Sequence, residues 1–127
     1  MPEQSFAAVA VPGVDDPALS AEDAKLVTLA RSSRARVAAA EGAAVRDQDG
    51  RTYAAASVAL PSLSVTALQL AVAQAAASGA TKIEAAAVVT EASTLDGAGH
   101  AAVRDLSADA VIHVAGPSGT LLGTVSA

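Results

Sequence analysis

From Ser20 onward the apolar positions recur at helical spacing, with Leu26, Leu29, Ala30, Ser33 and Val37 forming one stripe. Ser20 stands three residues ahead of Asp23, a capping-box-like start in which a hydroxyl accepts from an otherwise unpaired backbone N–H. Glu22 and Asp23 place negative charge where the helix dipole favours it, and Arg31, Arg34 and Arg36 place positive charge near the other end. The pattern therefore predicts a first helix whose basic half is a solvated, dipole-compensating face. The period then shortens. Ala43-Ala44-Val45-Arg46 and Arg51-Thr52-Tyr53-Ala54 flank Asp47-Gln48-Asp49-Gly50. An Asp-Gly pair between strand-like runs signals a hairpin, because glycine supplies the positive φ that the turn demands.

After Pro61, the segment Leu63 to Ala77 reads as a second helix ended by Gly79. It is apolar almost all the way round, interrupted by Ser64, Thr66, Gln69 and Gln74, which implies burial on several sides. Ile83 to Val89 reads as a buried strand, Gly97 to Leu106 as a short helix and Val111 to Val114 as another strand. Gly116-Pro117-Ser118-Gly119 forms a turn before a last strand near Leu121–Val125. The order α-β-β-α-β-α-β-β implies an α/β sandwich with a mixed sheet covered by helices. Residues 1–19 read as an N-terminal arm, punctuated by Pro2, Pro12, Gly13, Asp15, Asp16 and Pro17 too densely for a helix. Within it Phe6–Val11 is either a short strand or a tail, and the arm is either docked or disordered. Residues 20–127 form the single remaining domain.

Composition sharpens this picture. The chain has 127 residues, enough for one domain with one sizeable core. It is 52% hydrophobic but only 2% aromatic, with alanine supplying most of the apolar count. Alanine buries little area, so tight layers require close backbone approach or an oligomer interface. Eight Lys and Arg stand against 13 Asp and Glu, a formal net charge of −5. That balance argues against nucleic acid, whose phosphates demand basic partners, and against anionic membrane surfaces. The chain contains no cysteine. No basic leader precedes Phe6–Val11 and no run of about 18 strongly apolar residues occurs, so a cytoplasmic location is expected.

Gly42-Ala43-Ala44 followed by Asp49-Gly50-Arg51 and Tyr53 resembles the first hairpin of the cytidine deaminase family, which includes the blasticidin-type deaminases. Ser78-Gly79 and Ala87-Val88-Val89-Thr90 are similar to the end of that family's central helix and its next strand. Ala115-Gly116-Pro117-Ser118-Gly119 resembles the late Asn-Pro-x-Gly turn. The register is consistent over roughly residues 20–125. The resemblance implies a three-layer α/β/α sandwich around a mixed five-stranded sheet, and assembly as a dimer or tetramer through the face around the central helix.

The resemblance also implies chemistry that these residues lack. The family uses a Cys-Ala-Glu motif and a Pro-Cys-x-x-Cys motif, whose thiolates hold zinc while the glutamate moves protons. The first motif falls on Leu68-Gln69-Leu70 and the second on Leu95-Asp96-Gly97-Ala98-Gly99. The family's ribose-gripping Asn-x-Glu falls on Ser57-Val58-Ala59, Ala38-Ala39-Ala40-Glu41 stand where a base-packing aromatic is usual, and His100 replaces the usual arginine. Ser57, Ala59, Leu68, Leu70, Asp96, Gly99 and His100 are thus the vestigial pocket positions, with no catalytic residue, no metal ligand set and no zinc cofactor expected. Asp96 and His100 stand four apart and share a helix face, but Asp96 is explained by an N-cap ahead of Gly97. His113 lies inside an apolar strand. No Gly-x-Ser-x-Gly elbow accompanies the histidines, and Gly116-x-x-Gly119 lacks the lysine and helix of a phosphate loop.

These readings make the chain a catalytically inactive deaminase-like protein, a structural or interaction module assembled as a homo-oligomer. One alternative is a nucleoside or nucleobase sensor with Leu68 and Leu70 as an apolar pocket floor and Ser57 and Gln69 as polar contacts. Another is a hydrolase of the same class with altered chemistry, for which the residues offer no adequate constellation.

Overall fold

The computed structural model describes residues 6–13 and 19–127. The first helix, α1, runs Ala21–Val37, and its N-cap Ser20 accepts from Asp23 N as the sequence predicts. Strands β2 (Gly42–Asp47) and β3 (Thr52–Ala56) form the expected antiparallel hairpin, with Val45 opposite Tyr53. Gly50 takes the positive φ of 81° that the turn demands. The turn is organised by Asp47, whose carboxylate is buried and accepts from Asp49 N at 2.9 Å, Arg51 N at 3.0 Å and Tyr53 Oη at 2.9 Å. An Asx-type turn of this kind ties the loop backbone to a strand end.

The second helix begins later than its apolar pattern predicts. Leu63–Val65 is a strand, β5, paired with β4 (Val58–Leu60) across the Pro61-Ser62 turn. Helix α2 covers Ala67–Ala77, opened by a capping box between Thr66 and Gln69. The physical reason is that Thr66 and Gln69 satisfy the first backbone groups reciprocally, a stronger start signal than the continuity of apolar residues. Nor is α2 buried on several sides: its buried residues Ala67, Leu68, Ala71, Val72 and Ala75 form one stripe, while Ala73, Ala76 and Ala77 are exposed. Beyond it lie β6 (Ile83–Val89), a two-residue β7 (Thr94–Leu95), α3 (Gly97–Leu106), β8 (Val111–Ala115) and β9 (Leu121–Ser126).

The main sheet is five-stranded in the order β3-β2-β6-β8-β9. It is mixed, because β6 and β8 are parallel while every other neighbouring pair is antiparallel. Alternation along each strand sorts its side chains to two faces. Ala44, Ala85, Ala87, Val89 and Ala115 meet Leu26, Val27 and Ala30 of α1. Ala43, Val45, Ala86, Val88, Ile112 and Val114 meet Leu68, Ala71, Val72, Ala75 and Val103 of α2 and α3. Helices therefore cover both faces, giving three layers. The α1 face is surfaced mostly by alanine and the helix lies close: a Cβ at Gly42 would sit 2.0 Å from the Ala30 carbonyl oxygen. Among the described residues, no helix is long and apolar enough to cross a membrane.

The described part of the arm is docked. Val9–Ala10 forms strand β1, paired antiparallel with β7, and Val9 and Val11 pack against the core. A Cβ at Gly97 would lie 1.9 Å from Ala7 O, and one at Gly123 would lie 2.0 Å from Pro12 O, so both glycines are notches for the arm's backbone. Pro2, Asp15, Asp16 and Pro17, which mark the arm in the sequence, lie outside the described residues.

A polar network fastens the start of α1 to the sheet. Asp23 Oδ1 accepts from Arg46 Nη2 at 2.9 Å, and its Oδ2 lies 2.8 Å from His113 Nε2. With Nε2 donating, His113 Nδ1 accepts from the Thr124 hydroxyl at 2.9 Å. Arg46 also donates to Glu84 at 3.0 Å. His113 is thus a buried network member, packed inside its strand.

Burial pushes the Asp23 carboxyl up, but hydrogen bonds and charge from His113 and Arg46 outweigh it and hold the group below its ordinary value. Asp47 is likewise pushed up by burial and drawn below its ordinary value by Tyr53 and the Arg51 and Asp49 N–H groups. A carboxyl depressed in the folded state adds stability above its unfolded pKa of about 4 and loses it as pH falls through the folded value. Thermal melts should therefore show a midpoint that drops on acidification below about pH 4. Asp23→Asn should lower the midpoint at neutral pH and reduce that acid-induced drop. An equal acid dependence in both proteins would exclude Asp23 from the effect.

Candidate functional site

Two helix starts meet beneath the second core layer. At α3, Asp96 is the N-cap expected from the sequence: Oδ1 accepts from Ala98 N at 3.0 Å and Oδ2 from Gly99 N at 2.9 Å. At α2, Thr66 Oγ1 accepts from Gln69 N and Gln69 Oε1 accepts from Thr66 N, both at 3.1 Å. Between them Leu68, 1% exposed, fills the space against Gly99. A Cβ built on Gly99 would lie 2.7 Å from Leu68 Cβ and 2.5 Å from Asp96 Oδ2. Leu68, Asp96 and Gly99 are thus brought together from distant sequence positions.

The other sequence-derived positions separate from this point. Leu70 is partly buried at the edge of the same core. His100 turns toward β9, with Nε2 donating to Ser126 O at 2.8 Å and Nδ1 accepting from Arg104 Nη2 at 2.9 Å. Asp96 and His100 therefore serve different partners despite their helical spacing. Gln69 is spent on the capping box, and Leu68 and Leu70 are not among the residues that line the cavity at Ser57 and Ala59.

Ser57 and Ala59 instead line an open cavity of about 500 Å³, together with Arg34, Glu41, Thr66 and Thr90. Ser57 is partly committed: its Oγ accepts from Glu41 N at 3.0 Å and contacts Glu41 O at 3.3 Å, joining the chain before β2 to the end of β3. Thr90 Oγ1 accepts from Ala92 N at 3.0 Å, shaping the loop that follows β6. Arg34 reaches the cavity from α1, held by a bond from Nε to Ala40 O at 3.2 Å, and its Nη2 lies 3.4 Å from Glu91 Oε1. The sequence points to Ser57 and Ala59, and to the Ala38-Ala39-Ala40-Glu41 stretch as the base-packing position, but not to Thr66, Thr90 or Arg34. The capping-box spacing of Thr66 and Gln69 was a readable signal; the convergence of the others had none.

A zinc ion, which the deaminase resemblance would bring, does not fit the meeting point of α2 and α3. Leucine and glycine offer no donor there, and both Asp96 carboxylate oxygens already accept backbone N–H groups. Among the described residues, no group of three or more His, Asp or Glu could hold a metal ion. What the site does offer is a walled cavity with hydroxyls, one guanidinium and two carboxylates at its margin.

Comparison with known proteins supports the fold from two directions. A profile described as cytidine deaminase-like matches residues 19–119. The crystal structure of a cytidine deaminase from Burkholderia pseudomallei superposes with a TM-score of 0.72 at 21% sequence identity, covering 85% of this chain and 93% of that one. No curated protein matches the sequence.

The contact between Leu68 and Gly99 is measurable. Leu68→Ala should cost about 2–5 kcal/mol through the cavity it leaves. Gly99→Ala should be destabilising on its own, by steric conflict with Leu68 and Asp96. Urea denaturation of the double variant should give a loss smaller than the sum by about 1 kcal/mol or more, because the shortened side chain vacates the space the new methyl needs. Strict additivity would show that the two positions do not share this space.

Proposed function

The chain belongs to the cytidine deaminase-like family, and from that premise we propose that it is a non-catalytic, zinc-free member acting as a structural or interaction module. The observation that carries this reading is Leu68 packed over Gly99. Deamination of a pyrimidine needs a metal-activated water and a proton shuttle at one point. The position where α2 and α3 meet holds an alkyl side chain and a bare backbone. Removing water activation alone forfeits most of such a rate enhancement, and among the described residues no group of three or more His, Asp or Glu could hold a replacement metal.

Self-association is part of the proposal. Leu60 and Leu63, opposite one another in the β4–β5 hairpin, are 58% and 52% exposed. The outer alanines of α2 give a further surface on which a second helix could approach closely. A dimer or tetramer would bury both, supplying area that an alanine-rich core does not.

A second reading is favoured by one specific observation, the open cavity of about 500 Å³ beside the closed helix junction. Its volume suits a ligand of nucleobase or nucleoside size. A sensor of such a ligand would use the cavity without the chemistry.

Metal analysis of the purified protein combined with a cytidine turnover assay tests the main reading. Neither stoichiometric zinc nor ammonia release is expected, and bound zinc with measurable deamination would overturn it. Sedimentation should report a dimer or tetramer at micromolar concentration, a monomer counting against the module. A thermal-shift panel of nucleosides and nucleobases separates the second reading, which a flat response would remove.

A further inference from the structure

Arg34 stands in two cavities at once. Besides the cavity at Ser57 and Ala59, it borders an adjoining cleft of about 280 Å³ with Arg31, Thr28, Ser32 and Pro117. Each guanidinium is fixed through its Nε: Arg31 donates to Pro117 O at 2.9 Å, and Arg34 donates to Ala40 O at 3.2 Å. This anchoring orders both side chains without consuming their terminal amino groups. Among the described residues, Arg31 Nη1 and Nη2 make no hydrogen bond. Arg34 Nη2 has only Glu91, 3.4 Å away on a side chain that is 77% exposed. An ion pair so long and so wet contributes little and yields readily to a better-placed anion. No carboxylate lines the cleft itself, in a chain whose net charge is −5. The acidic groups, Glu41 and Glu91, lie instead on the wall of the larger cavity.

This distribution gives the pair of spaces a direction. The carboxylates of the larger cavity disfavour an anion there, while the cleft is lined by two guanidinium groups, Arg31 and Arg34, of the kind that bind a carboxylate or phosphate, with Arg34 at the boundary between the two spaces. We infer that the Arg31–Arg34 cleft holds the oxyanion of a ligand, phosphate or carboxylate, whose uncharged body of nucleobase or nucleoside size lies in the adjoining cavity. The inference rests on the ligand-binding reading and adds the charge class of the ligand. Arg31 and Arg34 bind in it, and neither takes part in a reaction. The one-turn spacing of the two arginines along α1 sets their common face.

Calorimetric titration with two neutral and charged pairs tests it: cytidine against cytidine 5′-monophosphate, and uracil against orotate. The first pair adds a phosphate and the second a carboxylate, so the tighter pair identifies the oxyanion. One charged member should bind at least about tenfold more tightly than its neutral partner, with the advantage shrinking as salt is raised. Arg31→Gln, at an exposed position, should erase that advantage and leave the neutral affinity unchanged. Glu91→Gln should strengthen the charged ligand about two- to fivefold by removing the competing carboxylate. Equal binding of both members of both pairs would overturn the oxyanion inference while leaving the ligand-binding reading intact. No binding by any of the four compounds would remove both. A charged preference that survives Arg31→Gln and Arg34→Gln would place the anion elsewhere and overturn the assignment.

Discussion

The close seating of α1 on an alanine-surfaced sheet is the constraint on which much of this molecule depends. Ala44, Ala85, Ala87 and Ala115 leave little side-chain thickness between helix and sheet, and Gly42 admits the Ala30 carbonyl into backbone contact. Such a layer gains little from each buried methyl, so its stability comes from close packing over many small contacts. It also brings polar groups within reach that a bulkier interface would hold apart. Asp23 reaches Arg46 on β2 and His113 on β8 at direct hydrogen-bond distance. At the other end of the same helix, Arg31 and Arg34 reach the Pro117 and Ala40 carbonyls and thereby border the cavities.

On the opposite face the packing follows another rule. There α2 and α3 bring their N-termini together, and the junction is filled by one leucine over one glycine. Both helix starts are satisfied internally, by the Thr66–Gln69 box and by the Asp96 carboxylate. Leu68 and Gly99 therefore pack between two capped helix starts. The neighbouring cavity survives because different elements build it: the chain before β2, the β4–β5 hairpin and the loop after β6. Closing one space does not collapse the other. This separation lets a tightly filled helix junction and a walled space lie side by side in one fold.

The N-terminal arm adds a third constraint. Its backbone crosses Gly97 and Gly123 with no room for a side chain, and its strand pairs with the residues just before α3. The segment leading into α3 is thus held from outside by the arm as well as from inside by the core. Val9 and Val11 contribute apolar area that the alanine-rich domain otherwise lacks.

Periodicity, turn chemistry and caps determined most of the fold. Ser20, Asp96 and the Asp49-Gly50 turn occupy the roles their local sequence requires, since each acts within a few residues of itself. The start of α2 lies beyond the start of its apolar run because such a run does not distinguish a β-strand from the first turn of a helix, and the pairing of Leu63 with Leu60 decides it. The absence of cysteine, and hence of any thiolate, is likewise a matter of residue identity alone. What tertiary structure decided was which side chains share a space. Leu68 meets Gly99, Asp23 meets His113 across 90 residues, and Arg34 meets the cavity of Ser57 and Ala59. Sequence separation carries no information about such meetings, because they are set by sheet order and by how closely small side chains let the layers approach.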